Sequence, residues 1–190
     1  MKKGLLIILS GPSGVGKGTV RKKLMEMYPE LDIRYSISMT TRGPRNQEVN
    51  GVDYFFVSNE EFDNNLARDN FLEHASFVGN RYGTPRDYVE GLLNQGKIVL
   101  LEIEINGAKQ VLNKVKDSDN HVSIFLTTDL ETLRERITNR KTESEEIINE
   151  RLAKAKKEFG ESSIYDFEVK NIEVEQAATD IANIIKSKLN

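Results

Sequence analysis

The 190-residue chain contains no cysteine. Disulfide staples, thiolate metal sites and cysteine nucleophiles are therefore excluded. Histidine is nearly as scarce. Only His74 and His121 occur, far apart in the chain, which argues against a structural zinc site. No apolar run approaches the length of a membrane span. Neither sign of charge dominates: 27 basic and 30 acidic residues leave a formal charge of −3. That balance argues against a nucleic-acid coat or a polybasic membrane tail. Internal repeats and low-complexity tails are missing as well. What is present is 38% hydrophobic and 30% charged residues. This composition and length suit one compact domain with small inserted lobes. Nothing in the pattern separates a monomer from a homo-oligomer.

The N-terminal MKKGLLIILS sets two lysines before an apolar run, much as a signal peptide does. The run at 5–9 is too short for a signal core, and no small-residue cleavage pattern follows. It reads as a buried strand, and a cytoplasmic protein is expected. Further strands are expected at KIVLLEIEI (97–105) and HVSIFLTT (121–128), since near-continuous apolar runs suit parallel strands covered on both faces. A helix is expected over about 17–28. Ala108, Val111, Leu112 and Val115 mark one helical face, and Leu130, Leu133 and Ile137 mark another. Val174, Ala177, Ala178, Ile181, Ile184, Ile185 and Leu189 mark a closing amphipathic helix. Strand and helix in alternation imply a doubly wound α/β core. Residues 36–88 break the rhythm with aromatics, glycines and an Asn50–Gly51 turn signal that predicts a hairpin. Residues 129–158 are highly charged and predict two helices with an exposed joint near Lys141 and Thr142.

Between the first strand and first helix lies SGPSGVGKGTV (10–20). It fits the phosphate-cradling pattern G-x-x-x-x-G-K-[ST] except at its last place, where Gly18 stands and Thr19 follows. Gly11, Gly14 and Gly16 let the backbone approach a ligand. Unpaired N–H groups at a helix start favour an anion, and Lys17 adds a full charge. Gly18 removes the hydroxyl that usually ligates magnesium. The metal must then rely on the phosphates, on water, or on Thr19 if it can reach. The cradle itself survives, and Gly-Lys-Gly-Thr resembles the same place in adenylate kinases. A GTPase would show N-K-x-D, but NKVKD at 113–117 has one residue too many. The adenylate kinase segment D-G-F-P-R is absent.

SISMTTRGPRNQEVNGVDYFF (36–56) carries the next clue. Arg42 and Arg45 lie three apart in an irregular segment, and arginine forks match phosphate oxygens. With Tyr54, Tyr82 and Thr84 they could surround a monophosphate. The same residues also suit a solvated loop. Glu73, beside His74, suits an ordinary surface carboxylate. Glu102 and Glu104 are two apart on the predicted strand and would point the same way, near the end where open α/β sheets bind ligands.

SGPSGVGKGT, SISMTTRGPRNQEVNGVDYFFV, FLEHASFVGNRYGT, VLLEIEINGAKQV, NRKTESEEIINERL and YDFEVKN together resemble the guanylate kinase family, in order and spacing and over nearly the whole chain. The resemblance implies a P-loop nucleoside monophosphate kinase fold: an α/β parallel-sheet core, an inserted mixed α+β GMP-binding lobe and a helical lid. Residues 1–35, 89–128 and 159–190 would form the core, 36–88 the lobe and 129–158 the lid. It implies transfer of the γ-phosphoryl group of ATP to GMP, and to dGMP, with Mg2+. ATP would lie on Gly11, Pro12, Ser13, Gly14, Val15, Gly16, Lys17, Gly18 and Thr19, with Asn171 near the adenine. Ser38 and Glu73 would hold guanine. Arg42, Arg45, Tyr54 and Tyr82 would hold the GMP phosphate, with Thr84 where the family often has serine. Glu102 and Glu104 would lie in the central cleft near base and metal, with Glu102 beside Thr19 as a candidate metal ligand. Lys17, Arg42 and the lid arginines Arg136, Arg140 and Arg151 would serve the transfer.

An ionised carboxylate such as Glu73 can accept from both N1–H and the 2-amino group of guanine, whereas adenine offers a lone pair at N1. Such a site can reject the wrong base by about 10⁴ or more. For the lid arginines a salt-bridged exposed helix is the competing reading. Two rival functions stand beside the kinase: a kinase with another acceptor such as AMP, and a guanylate-kinase-like module that binds protein partners without turnover.

Overall fold

Short strands whose residues are apolar on both faces form the centre of the protein, as expected for parallel strands sandwiched between helices. The structure, a computed structural model, describes residues 4–139 and 144–189. In chain order its elements begin with β1 (Leu6–Ser10), α1 (Lys17–Met27), β2 (Ile33–Tyr35), β3 (Met39–Thr40), β4 (Phe55–Phe56) and α2 (Asn59–Ala67). There follow β5 (Phe71–Phe77), β6 (Asn80–Pro85), α3 (Arg86–Asn94), β7 (Ile98–Glu102), α4 (Ile105–Val115) and β8 (His121–Thr127). The last are α5 (Leu130–Thr138), α6 (Glu145–Phe159), β9 (Phe167–Lys170) and α7 (Val174–Leu189).

The main sheet has the order β2-β7-β1-β8-β9, and every pairing in it is parallel. Side chains alternate across it as the two-residue period requires. Ile7 and Leu9 pack with Val20, Leu24, Ile181 and Ile185, under α1 and α7. Leu6 and Ile8 pack the other way with Val89, Ala108 and Val111, under α3 and α4. All five residues of β1 are buried.

A second sheet, β4-β3-β6-β5, holds the segment that broke the sequence rhythm. It has its own small core of Met39, Phe62 and Phe71. The Phe62 and Phe71 rings stack with centroids 4.5 Å apart. Ser58 caps α2 by accepting from the Glu61 N–H, an S-x-x-E start.

Two expectations are corrected and a third is met. The Asn50–Gly51 turn forms no hairpin: Gly51 donates to the Tyr54 carbonyl, Asp53 accepts from the Val49 N–H, and β4 pairs parallel with β3. The turn signal is real, but the segment coils on itself instead of returning along 48–49. The hairpin is β5–β6, turned by Val78 and Gly79 at φ 47° and 73°. Two positive φ values give the turn whose twist suits paired strands. The strand expected over 97–105 ends at Glu102; Glu104 is the residue before α4, so it leaves the pleat and does not share Glu102's alternation. The two charged helices are present as α5 and α6, while their joint lies outside the described residues.

Phe62→Ala is expected to cost about 3–5 kcal/mol by opening the second sheet's core. Amide hydrogen exchange should then accelerate in β3, β5 and β6 well before β1, β7 and β8, and uniform acceleration would show that the two sheets unfold as one unit.

Candidate nucleotide site

The loop after β1 is shaped by contacts that forbid side chains. Gly11 has φ 145°, and a Cβ there would stand 2.3 Å from the Leu126 carbonyl oxygen. Gly14 and Gly16 adopt φ 85° and 97°. The Val15 carbonyl accepts from Asn171 Nδ2 at 2.8 Å and Arg136 Nη1 at 3.1 Å, which pins the loop against β9 and α5. No side chain caps the α1 N-terminus, and its first turn holds no acidic residue. The free N–H groups and the positive end of the helix dipole are therefore left for an anion.

Lys17 opens α1. Its Nζ donates to the carbonyls of Gly11 at 2.8 Å and Pro12 at 3.2 Å, and lies 3.5 Å from Glu104. One turn later on the same helix face, Arg21 donates through Nε to Glu102 Oε2 at 2.6 Å, with its guanidinium 3.9 Å above the Tyr35 ring. Glu102 also faces position 18, where a Cβ would come 3.3 Å from Oε1. The carboxylate thus borders the space a hydroxyl side chain would enter. Sequence reasoning missed Arg21. Its signal was the i, i+4 spacing from Lys17, which puts both cations on one helical face.

On the second sheet, Arg42 donates through both terminal nitrogens to Glu48, each at 2.9 Å, and Glu48 Oε2 also accepts from the Arg45 N–H at 2.7 Å. Arg42 and Arg45 thus share an anchor that the sequence reading overlooked. The Arg42 fork, followed by the Arg45 N–H, holds the Glu48 carboxyl below its usual range. Tyr54 lies with its ring 5.3 Å from the Arg42 guanidinium and 6.2 Å from the Tyr82 ring. The structure therefore brings Arg42, Tyr54 and Tyr82 together, while the Arg45 side chain is exposed. Ser38 is half-buried beside β3, and its carbonyl accepts from Phe55.

Glu73 is no surface carboxylate. It is 8% exposed, and the Thr84 hydroxyl donates to its Oε1 at 2.7 Å across the β5–β6 pair. Thr84 thereby serves the carboxylate in this arrangement. Among the lid residues, Arg136 reaches back from α5 to the carbonyls of Val15, Asn171 and Ile172. Buried Asn171 beside it lies next to Gly16. Arg151 is half-buried on α6, and Arg140 lies outside the described residues.

A glycine loop opening a helix at the carboxyl edge of a parallel sheet, with a second polar site on an inserted sheet, defines a P-loop nucleotide-binding protein. A model of the guanylate kinase family matches residues 3–188. The guanylate kinase of Mycoplasma capricolum is 52% identical over 186 residues, covering 97% of this chain and 61% of that protein. The guanylate kinase of Enterococcus faecalis is 52% identical over 188 residues, covering 98% of this chain and 90% of that protein. The crystal structure of guanylate kinase from Anaplasma phagocytophilum is similar with a TM-score of 0.73 at 34% identity, covering 98% of this chain and 87% of that one. The chain belongs to the guanylate kinase family. It spans about three fifths of the length of the Mycoplasma relative.

Burial raises the Glu73 carboxyl above its ordinary 4.5, opposed by the Thr84 hydrogen bond. A carboxyl raised on folding contributes stability that is fully present below its unfolded value and lost as pH rises through its folded value. Urea unfolding should therefore show the wild type losing stability relative to Glu73→Gln as pH rises above 4.5. Parallel pH profiles for the two proteins would show that Glu73 is not desolvated.

Proposed function

We propose that this chain transfers the γ-phosphoryl group of ATP to GMP, and to dGMP, giving ADP and GDP. The observation that carries this reading is Glu73, a buried carboxylate on the inserted sheet whose second oxygen has no need of Thr84. Its oxygens suit the N1–H and 2-amino donors of guanine, and adenine would leave a buried acceptor facing a lone pair. Ser38 borders the same strand system and supplies a further hydroxyl.

Arg42, Arg45, Tyr54 and Tyr82 bind the GMP phosphate, with Glu48 keeping the arginine fork extended until phosphate takes its place. The P-loop amides and Lys17 hold the ATP phosphates. Arg136 and Asn171 support the adenosine end, since both contact the outer wall of the loop. Arg140 and Arg151 neutralise charge on the transferred group when the lid segment comes in. A GMP phosphate oxygen attacks the γ-phosphorus, the bond to the β–γ bridging oxygen breaks, and that oxygen leaves on ADP. The residues mainly align the reactants, neutralise charge and exclude water.

The family implies Mg2+. Among the described residues no three of His, Cys, Asp and Glu gather at metal-binding distance, but this ion takes only one or two carboxylates beside substrate phosphates and water. Glu102 fits that demand through Oε1, which faces position 18 while Arg21 holds Oε2. Bound there with ATP, the ion would shield the phosphate charge. Thr19, in the first turn of α1, would be a second oxygen donor.

By this reading the core comprises 1–35, 89–128 and 159–190, the GMP lobe 36–88 and the lid 129–158. No helix among the described residues is long and apolar enough to cross a membrane, and a cytoplasmic place with access to free nucleotides suits the reaction.

A coupled assay over GMP, dGMP, IMP and AMP with ATP and Mg2+ tests the function. GDP formation with AMP refused is expected, whereas AMP turnover or none at all would overturn the assignment. Lys17→Met should lower kcat by about 10²–10³ through loss of a charged donor at the transferred phosphate. Its circular dichroism should stay unchanged, and near-normal kcat would remove Lys17 from the site.

A further inference from the structure

Strand β5 lies at the edge of the second sheet, where main-chain groups would otherwise be open. Helix α4 of the core runs along it instead. Residues 107, 110 and 114 share one face of that helix, by their spacing of three and four. The Gln110 side-chain oxygen accepts from the His74 N–H at 3.1 Å, and its amide nitrogen donates to the His74 carbonyl at 3.1 Å. One side chain thus stands in for a neighbouring strand. A turn further on, Lys114 Nζ donates to the Phe71 carbonyl at 2.5 Å and lies 3.1 Å from Asp69. Gly107 completes the row. A Cβ there would stand 2.9 Å from Glu73 Oε2, 3.3 Å from Cδ and 3.4 Å from Cγ.

Gly107 sits in the first turn of α4, where glycine is a poor helix former. The missing side chain has a use: it leaves a notch into which the Glu73 carboxylate fits. That carboxylate is buried, and its other oxygen is committed to Thr84. It has little room in which to retreat from a new methyl group. The backbone beside it, at His74, is clamped by Gln110.

We propose that Gly107 and Gln110 are positioning residues that determine guanine specificity. They act through Glu73 and touch no substrate themselves. The proposal rests on the reading of Glu73 as the guanine-binding group. Accepting both N1–H and the 2-amino group requires one orientation of the carboxylate plane, and the α4 face sets it. IMP lacks the 2-amino group, so it draws less on that orientation. A displaced carboxylate therefore harms GMP more than IMP.

Steady-state kinetics of the full chain with GMP and with IMP test this. Gly107→Ala should lower the GMP-to-IMP ratio of kcat/KM about tenfold, the share of one charge-assisted hydrogen bond. The loss should appear mainly in the KM for GMP, with the KM for ATP within about twofold of wild type. Gln110→Ala, at a half-exposed position, should lower the same ratio about threefold for a loosened neighbour. Gln110→Glu keeps the acceptor for the His74 N–H and should recover part of that loss. A folded Gly107→Ala protein with the wild-type ratio overturns the proposal. If that variant fails to fold, an unchanged ratio in Gln110→Ala overturns it. Wild-type protein that does not prefer GMP to IMP would instead overturn the reading of Glu73 itself.

Discussion

The loop after β1 passes so near the end of β8 that position 11 has no space for a side chain: a Cβ would meet the Leu126 carbonyl at 2.3 Å. From this close approach the rest of the site takes its position. It lets the chain turn sharply from the central strand into α1, so the first free N–H groups of that helix stand at the carboxyl edge of the sheet. Lys17 and Arg21 then project from one helical face toward the end of β7, where Glu104 and Glu102 receive them. A strand covered on both faces, a glycine turn and a helix start are enough to concentrate positive potential at one point.

Three of the cations that could meet a nucleotide phosphate already have a carboxylate neighbour. Lys17 has Glu104, Arg21 has Glu102 and Arg42 has Glu48. Each pair keeps some access to water, which screens it. Their partners can be exchanged for phosphate at little loss, while the side chains stay extended toward the cleft. Glu73 is a different case. It is buried with only a hydroxyl for company, and a buried carboxylate must be answered by donors or lose its charge. On the function proposed above, the first group of contacts would give affinity for any nucleotide, and the second would select the base, because few ligands carry two adjacent donors in the right plane.

How much of this was legible in the sequence follows from what kind of signal each part leaves. β1, β7 and β8 are buried on both faces, so they appear as apolar runs. The phosphate loop is a local pattern, and α7 shows an apolar stripe over its whole length. β2 and β9 have three and four residues and sit at the sheet edges, too short to leave a pattern. Asn50–Gly51 is a turn by every local rule, and it does turn. What it lacks is a flanking strand on the 48–49 side, a tertiary fact with no local trace. The strand reading over 97–105 went too far because Ile103 and Ile105, on either side of the Glu104 cap, continue the apolar alternation into the first residue of α4. Glu73 looked superficial since its burial comes from Thr84 and Gly107, eleven and thirty-four positions away. Only the family resemblance pointed to it. Arg21 was findable from its helical spacing, and Glu48 from the charge that two arginines in one loop require.

Gly18 and Gly107 share a role. Each sits in the first turn of a helix, α1 or α4, and each faces a carboxylate from another element, Glu102 or Glu73. A side chain at either place would hold the carboxylate away from the helix start. Without one, the negative group comes close to the positive end of a helix dipole, a favourable place for an anion. Burial raises the Glu73 carboxyl above its ordinary value, and the Thr84 hydrogen bond opposes that. On the proposed reading of Glu73 the balance matters, because the carboxyl would have to be ionised to accept two donors and buried to reject a base that offers none. Burial alone would give selectivity at the expense of charge, and exposure the reverse. A glycine at the start of α4 allows both conditions to hold at a single residue.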